Sequence, residues 1–80
     1  MVTAIVLVKT GTGENLNFTK TAKEQIAKIR GVKDVFGVFG RYDLVVHIEA
    51  SSLEELSRII ADQMRGIPGV SSTESLIIGF

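Results

Sequence analysis

The chain contains a single histidine and no cysteine, so its reactive chemistry must come from a few places. His47 stands next but one to Glu49 in "VVHIEA". An imidazole beside a carboxylate can act as a general base. The reading preferred for this residue is an interface histidine, hydrogen-bonded across a dimer. No Ser-His-Asp or Cys-His order can be assembled around it, and no paired carboxylates stand out, so no catalytic residue is assigned. Without cysteine, disulfides and thiolate metal sites are excluded, and one histidine argues against a conventional zinc site. No metal or cofactor is expected. "GTGE", Gly11 to Glu14, lacks the third glycine and the Gly-Lys-Ser/Thr ending of phosphate-binding loops, and reads as a loop.

A second place is "VFGVFGRYDLVV", where Gly37 and Gly40 interrupt strand formers and Gly40-Arg41-Tyr42-Asp43 precedes three aliphatic residues. Glycine permits positive φ and close approach of backbone to a ligand. Successive backbone N–H groups in such a turn can form a nest for a carboxylate. Asp43 offers acceptors for an ammonium group. Donors for a carboxylate beside an acceptor for an ammonium are what a free amino acid requires. The same residues also make an ordinary hairpin, and spacing alone leaves both readings open.

The elements that must position these residues are legible from periodicity. Val2 to Lys9 is β-branched and continuous, a first strand. Phe18, Ala22, Ile26 and Ile29 recur at helical steps, so a helix is expected over Phe18 to Arg30, capped by Asn17 or Thr19 and ended by Gly31. "VKDVFGVFG" and "YDLVVHIEA" are the second and third strands. Ser52 and Glu55 have capping-box spacing at the start of a second helix, whose buried stripe is expected at Leu53, Leu56, Ile60 and Met64. Gly66 and Pro68 stop it, and "GVSSTESLIIGF" is the last strand. The order is that of an α+β, ferredoxin-like βαββαβ fold: a four-stranded antiparallel sheet with two helices on one face. "IRGV" and "MRGI" after the two helices suggest a two-fold pseudo-repeat built on Arg-Gly-aliphatic.

Eighty residues make one domain, Met1 to Phe80. A domain this small buries only about 60% of its unfolded surface, and small folds usually carry a staple. With 45% hydrophobic residues, self-association is the staple that remains. The strands agree. Val2, Ala4, Val6 and Val8 point one way while Ile5 and Leu7 point the other; Leu44, Val46 and Ile48 alternate with Val45, His47 and Glu49, Phe36 and Val38 oppose Val35 and Phe39, and Ile77 opposes Leu76 and Ile78, so both faces carry apolar residues. An open face with this much aliphatic surface is expected to pack on a second copy about a two-fold axis. Nine basic residues balance nine acidic ones, so direct nucleic-acid binding is not expected. The cluster Lys20, Lys23, Lys28 and Arg30 reads as a solvated helix face. No apolar run reaches the ~18 residues of a membrane span, no signal peptide opens the chain, and the cytoplasm is the default location.

From Gly31 to Gly79 the chain resembles the effector, or RAM, domain of the Lrp/AsnC (leucine-responsive, feast/famine) transcription regulators. The similarity rests on the Gly-x-x-Asp-aliphatic turn, the helix beginning "SLEEL", and Gly69-Val70 before a strand with alternating hydroxyl residues. It extends over nearly the whole chain from Val2. The resemblance implies an amino-acid-binding effector module that modulates transcription of amino-acid metabolism genes through oligomerisation. It implies a ligand held between dimers by Gly40, Arg41, Tyr42, Asp43, Thr73 and Ser75, with Asp43 pairing the ligand's ammonium. Ser75 stands where the family commonly has threonine. It further implies a homodimer that assembles into a ring of dimers, and a full-length regulator as a further partner. Family regulators carry a helix-turn-helix before this domain. Here the first strand starts at Val2, so a stand-alone effector domain without its own DNA-reading helix is expected. The rival from another class is a small dimeric α/β-barrel enzyme, of monooxygenase or isomerase type, with a pocket inside each protomer and a role for His47 and Glu49.

Overall fold

The computed structural model describes residues 1–11 and 16–79, with backbone alone at 16–18. Four strands are present: β1 (Val2–Thr10), β2 (Val32–Gly37), β3 (Leu44–Ala50) and β4 (Val70–Ile77). Helix α1 (Leu16–Ala27) joins β1 to β2. Helix α2 (Leu53–Arg58), continued by a π-helical segment (Ile59–Met64), joins β3 to β4. The sheet order is β2-β3-β1-β4, with all neighbours antiparallel. Each βαβ unit therefore brackets a strand of the other, which is the ferredoxin-like arrangement expected from the element order.

Alternation along the central strands decides which face the helices cover. Ala4, Val6 and Val8 of β1 and Leu44, Val46 and Ile48 of β3 are fully buried. They pack with Ala22 and Ile26 of α1 and with Leu56, Ile59 and Met64 of the second helix. Each buried aliphatic side chain contributes about 1.5–3 kcal/mol relative to exposure, so these residues form the one core of the domain. The opposite face carries Ile5, Leu7 and Val45, which are part-buried, beside Phe36 and Leu76, which are exposed. Cross-strand register aligns Phe36 with Val45, Val45 with Leu7, and Ile5 with Leu76. This face is a contiguous apolar band.

Both helices differ from their expected bounds. α1 begins at Leu16, so Asn17 and Thr19 lie inside the helix rather than at its cap. It ends at Ala27, and Ile29 closes a tighter turn through its N–H to Ile26 O at 3.0 Å; Arg30 is outside. The side chains of Asn17 and Phe18, and the Gly11–Glu14 loop beyond Gly11, fall outside the described residues. In the second helix Ser52 Oγ does accept from Glu55 N–H, at 3.1 Å. The reciprocal arm lands one residue early: Glu55 accepts from Ser51 N–H at 3.1 Å and from Ser51 Oγ at 3.0 Å.

The buried stripe of that helix is Leu56, Ile59 and Met64, whereas Leu53 is exposed and Ile60 only part-buried. The five-residue step from Ile59 to Met64 is the π period, and Arg65 N–H bonds Ile60 O five residues back at 3.1 Å. A regular 3.6-residue stripe missed this rotation of the helix face.

The pseudo-repeat is real but is aligned differently from the Arg-Gly echo. Gly31 and Gly69, not Gly31 and Gly66, adopt matching positive φ of 100° and 99°. In one half Ile29 N–H bonds Ile26 O and Val32 N–H bonds Ile29 O; in the other Ile67 N–H bonds Met64 O and Val70 N–H bonds Ile67 O. Each glycine thus ends the same helix-to-strand turn one residue before a valine that opens a strand. No described helix is long and apolar enough to cross a membrane.

Candidate functional site

Asp43 sits just before β3, opposite the end of β1. Its backbone is fixed on both sides: its N–H donates to Val8 O at 2.9 Å and its carbonyl accepts from Val38 N–H at 2.9 Å. Its carboxylate Oδ2 accepts from Thr10 N–H at 2.8 Å and from Thr10 Oγ1 at 3.0 Å. Thr10 Oγ1 also lies 2.9 Å from Thr19 Oγ1 of α1. Thr10 is buried, so these bonds satisfy polar groups that water cannot reach. Asp43 is therefore a structural tie among β1, β3 and α1 as well as a candidate ligand acceptor.

Beside this carboxylate lies a cavity of about 230 Å³. α1 contributes Thr19, Lys20 and Lys23; Gly37 of β2 and the following Val38 and Phe39 line the other side; Asp43 and Leu44 complete the wall. The lysines expected to form a merely solvated face thus wall the same cavity as Asp43. Phe39 is almost wholly exposed, at 98%.

The other residues of the glycine turn diverge from Asp43. Gly40 carries a positive φ of 156°, while Gly37 ends β2 without one. Arg41 accepts from Lys9 Nζ through its carbonyl at 3.2 Å. The Tyr42 hydroxyl donates to Glu74 Oε1 at 2.7 Å. That bond pushes the Tyr42 phenol above its usual pKa, helped by desolvation and by the charge of Glu74, while Arg41 pulls the other way. Glu74 pairs with Leu7 and so faces the open side of the sheet. Thr73 and Ser75 pair with Val8 and Val6 and face the helix side. Ser75 lines a separate groove of about 260 Å³ with Leu56, Ile60, Ala61, Arg65 and Ile77 among its walls. Within one chain, then, Asp43 has its own cavity, Tyr42 crosses the open face, and Ser75 borders another groove.

His47 is engaged inside its own chain. Its Nδ1 lies 3.3 Å from Asp34 Oδ2, across the β2–β3 pair, and its Nε2 lies 3.6 Å from Glu49 Oε2. Asp34 had given no signal in the sequence, because its pairing with His47 depends on a register irregularity between Val32 and Asp34. At the opposite end of the molecule from the glycine turn, Arg30, Arg58 and Glu55 line a cavity of about 390 Å³. The Ser51 bonds, backbone first, hold the Glu55 carboxyl below the usual glutamate range against desolvation, and Arg30 and Arg58 add to the effect. Among the described residues no group of three or more His, Cys, Asp or Glu could hold a metal ion.

Thr10, Thr19, Lys20 and Lys23 belong to the candidate site without having been expected there. A signal existed for Thr10. The alternation of Ala4, Val6 and Val8 continues to position 10, which puts a hydroxyl on the buried face where it needs a partner.

Comparison with known proteins gives a consistent result. Residues 3–78 match the model of the Lrp/AsnC ligand binding domain. An uncharacterised HTH-type transcriptional regulator of Pyrococcus abyssi is 39% identical over 75 residues, covering 94% of this chain and 49% of the regulator. A homocitrate synthase of Sulfurisphaera tokodaii is 36% identical over 61 residues, covering 76% of this chain and 13% of the synthase. A crystal structure of a Thermus thermophilus protein superposes with a TM-score of 0.89 at 31% identity, covering 100% of this chain and 95% of that one. The chain spans about half the length of the first curated regulators it matches.

Proposed function

The chain belongs to the Lrp/AsnC ligand-binding domain family, and on that premise we propose that it is an effector module that binds a free amino acid beside Asp43. The observation that carries the reading is the carboxylate of Asp43, held rigidly by Thr10 in the wall of a small cavity next to a glycine turn. A fixed carboxylate costs little to organise around a ligand ammonium. The cavity, at about 230 Å³, is smaller than the roughly 300–1,000 Å³ typical of drug-sized ligands, a scale that suits a free amino acid.

Two further features support a sensing role. The exposed Phe36 and Leu76 extend an apolar band across the open sheet face, which a second copy would cover. Gly40, Arg41, Tyr42, Thr73 and Ser75 complete the ligand site when dimers meet, and ligand binding is then coupled to assembly into a ring of dimers. Similar domains occur in DNA-binding regulators and in a biosynthetic enzyme, a distribution that suits a portable ligand sensor. The output we propose is transcription of amino-acid metabolism genes in the cytoplasm, reached through association with a full-length regulator.

The enzyme reading is less well supported. His47 is flanked by Asp34 and Glu49, but it does not line the cavities described at Asp43, Ser75 and Glu55. A thermal-shift screen against the twenty amino acids tests the proposal. A ligand at a hundredfold excess over its Kd stabilises the native state by about 2.7 kcal/mol, so a binder gives a clear rise in Tm. The absence of any rise at millimolar amino acid would sink the reading.

A further inference from the structure

We propose that the Asp43 cavity selects amino acids with a second carboxylate, of the aspartate and glutamate type, and that Lys20 and Lys23 set this preference. The inference rests on the amino-acid reading and adds the class of ligand to it.

Its basis is the charge complement of the wall. Lys20 and Lys23 are three residues apart on α1, so they share one helix face, and both line the cavity with Asp43. Among the described residues neither lysine is in an ion pair, whereas Arg58 pairs with Glu54. The wall therefore combines two lysine side chains, whose flexible stems let their ammonium groups reach a ligand, with one carboxylate residue. The Asp43 carboxylate is pinned by Thr10, so its position is set before a ligand arrives.

A neutral-side-chain amino acid brings one ammonium and one carboxylate. It pairs Asp43 with one lysine and leaves the other lysine without a partner on the ligand. An amino dicarboxylate brings one ammonium and two carboxylates, which match all three wall charges. The remaining lining includes Val38, Phe39 and Leu44, apolar surface suited to the methylenes between the two carboxylates. A basic amino acid would bring a second cation toward the lysines and is disfavoured by like-charge repulsion.

The test is isothermal titration calorimetry on the full chain with L-glutamate, L-aspartate, L-leucine, L-lysine and glutarate, repeated with Lys20→Gln/Lys23→Gln. Both lysines are exposed on the helix, so circular dichroism and Tm can confirm that the double variant folds. At least one acidic amino acid should bind about tenfold or more tighter than leucine or lysine, the size expected of an added charge-assisted hydrogen bond. In the double variant that preference should vanish. Glutarate, which lacks the ammonium, should bind more weakly than glutamate. If leucine or lysine binds as tightly as the acidic amino acids, or if the double variant keeps the preference, the selectivity is wrong while the amino-acid reading stands. If no amino acid binds the native chain, both fall.

Discussion

Asp43 and Thr10 are joined through a single carboxylate oxygen: Oδ2 of Asp43 accepts both the backbone N–H of Thr10, at 2.8 Å, and its hydroxyl, at 3.0 Å. The pair locks the end of β1 to the start of β3 at the mouth of the candidate site. Removal of the acceptor leaves the Thr10 N–H without its side-chain partner, which typically costs about 1–3 kcal/mol, while the Thr10 hydroxyl keeps Thr19 Oγ1 at 2.9 Å. Asp43→Ala should therefore lower Tm by several degrees, at roughly 4–8 °C per kcal/mol for a domain of this size. Asp43→Asn keeps an oxygen for Thr10 and should lose much less. Differential scanning calorimetry on the two variants checks this; equal Tm for Asp43→Ala and the native chain would show that the tie contributes nothing.

The open sheet face predicts assembly. Phe36 aligns with Val45, Val45 with Leu7, and Ile5 with Leu76, and a second copy packed on this face would bury the band. Sedimentation should find at least a dimer at micromolar concentration. Leu76→Asp or Phe36→Asp should shift the chain toward its 8.7 kDa monomer. A native chain that is already a folded monomer would remove the basis for the prediction.

Gly31 should be intolerant of a side chain. Its φ is +100°, and a Cβ there would stand 3.0 Å from both Glu49 O and Ile59 Cδ1. Left-handed backbone at a non-glycine residue costs about 1–3 kcal/mol, and the Glu49 carbonyl, which is backbone, cannot simply swing away. Gly31→Ala should lower the urea midpoint clearly. Gly40 also has a positive φ, of 156°, but nothing lies within 4 Å of its Cβ position, so Gly40→Ala carries the backbone strain without the clash and should lower it less. Equal midpoints for the two variants would contradict the steric account.

Glu55 should contribute a pH-dependent term at the acid side. Its folded pKa lies below the ordinary 4.5 because Ser51 donates to the ionised carboxylate. A depressed carboxylate stabilises the fold fully above the unfolded value, and that stability is lost as pH falls through the folded value. The stability gap between the native chain and Glu55→Gln should therefore be widest above pH 4.5 and close as the pH drops below it. Urea titrations between pH 3 and 7 measure the gap, and a gap independent of pH would rule the assignment out.

The fold was largely readable because the signals that define it are local. Strand alternation at Ala4, Val6 and Val8, the Ser52–Glu55 cap and the glycine before Val32 each act within a few residues. What escaped depends on distant or irregular geometry. The π step from Ile59 to Met64 rotates one helix face, so Ile59 rather than Ile60 is buried. The register irregularity near Asp34 brings its carboxylate to His47. At the site, Asp43 was conspicuous through its glycine turn, but Thr10, Lys20 and Lys23 reach it only because α1 packs beside the β1 end. The family resemblance named Thr73 and Ser75 as partners of Asp43, yet on one chain Thr73 and Ser75 pair with Val8 and Val6 on β1. The proposed site unites them through a second copy, and no single-chain periodicity reports on that.

The central claim is that Asp43 receives the ammonium of a free amino acid, and calorimetric titration of native chain and Asp43→Asn with the amino acid that most raises Tm tests it most directly. Asn preserves one acceptor oxygen for Thr10 and replaces the other, with its charge, by an NH2 donor that cannot accept from an ammonium. The account predicts saturable binding to the native chain and at least about tenfold weaker binding to Asp43→Asn, or about 1.4 kcal/mol, with the variant's fold intact by circular dichroism. Unchanged affinity in Asp43→Asn would contradict the account and leave the glycine turn as a hairpin tied down by Thr10.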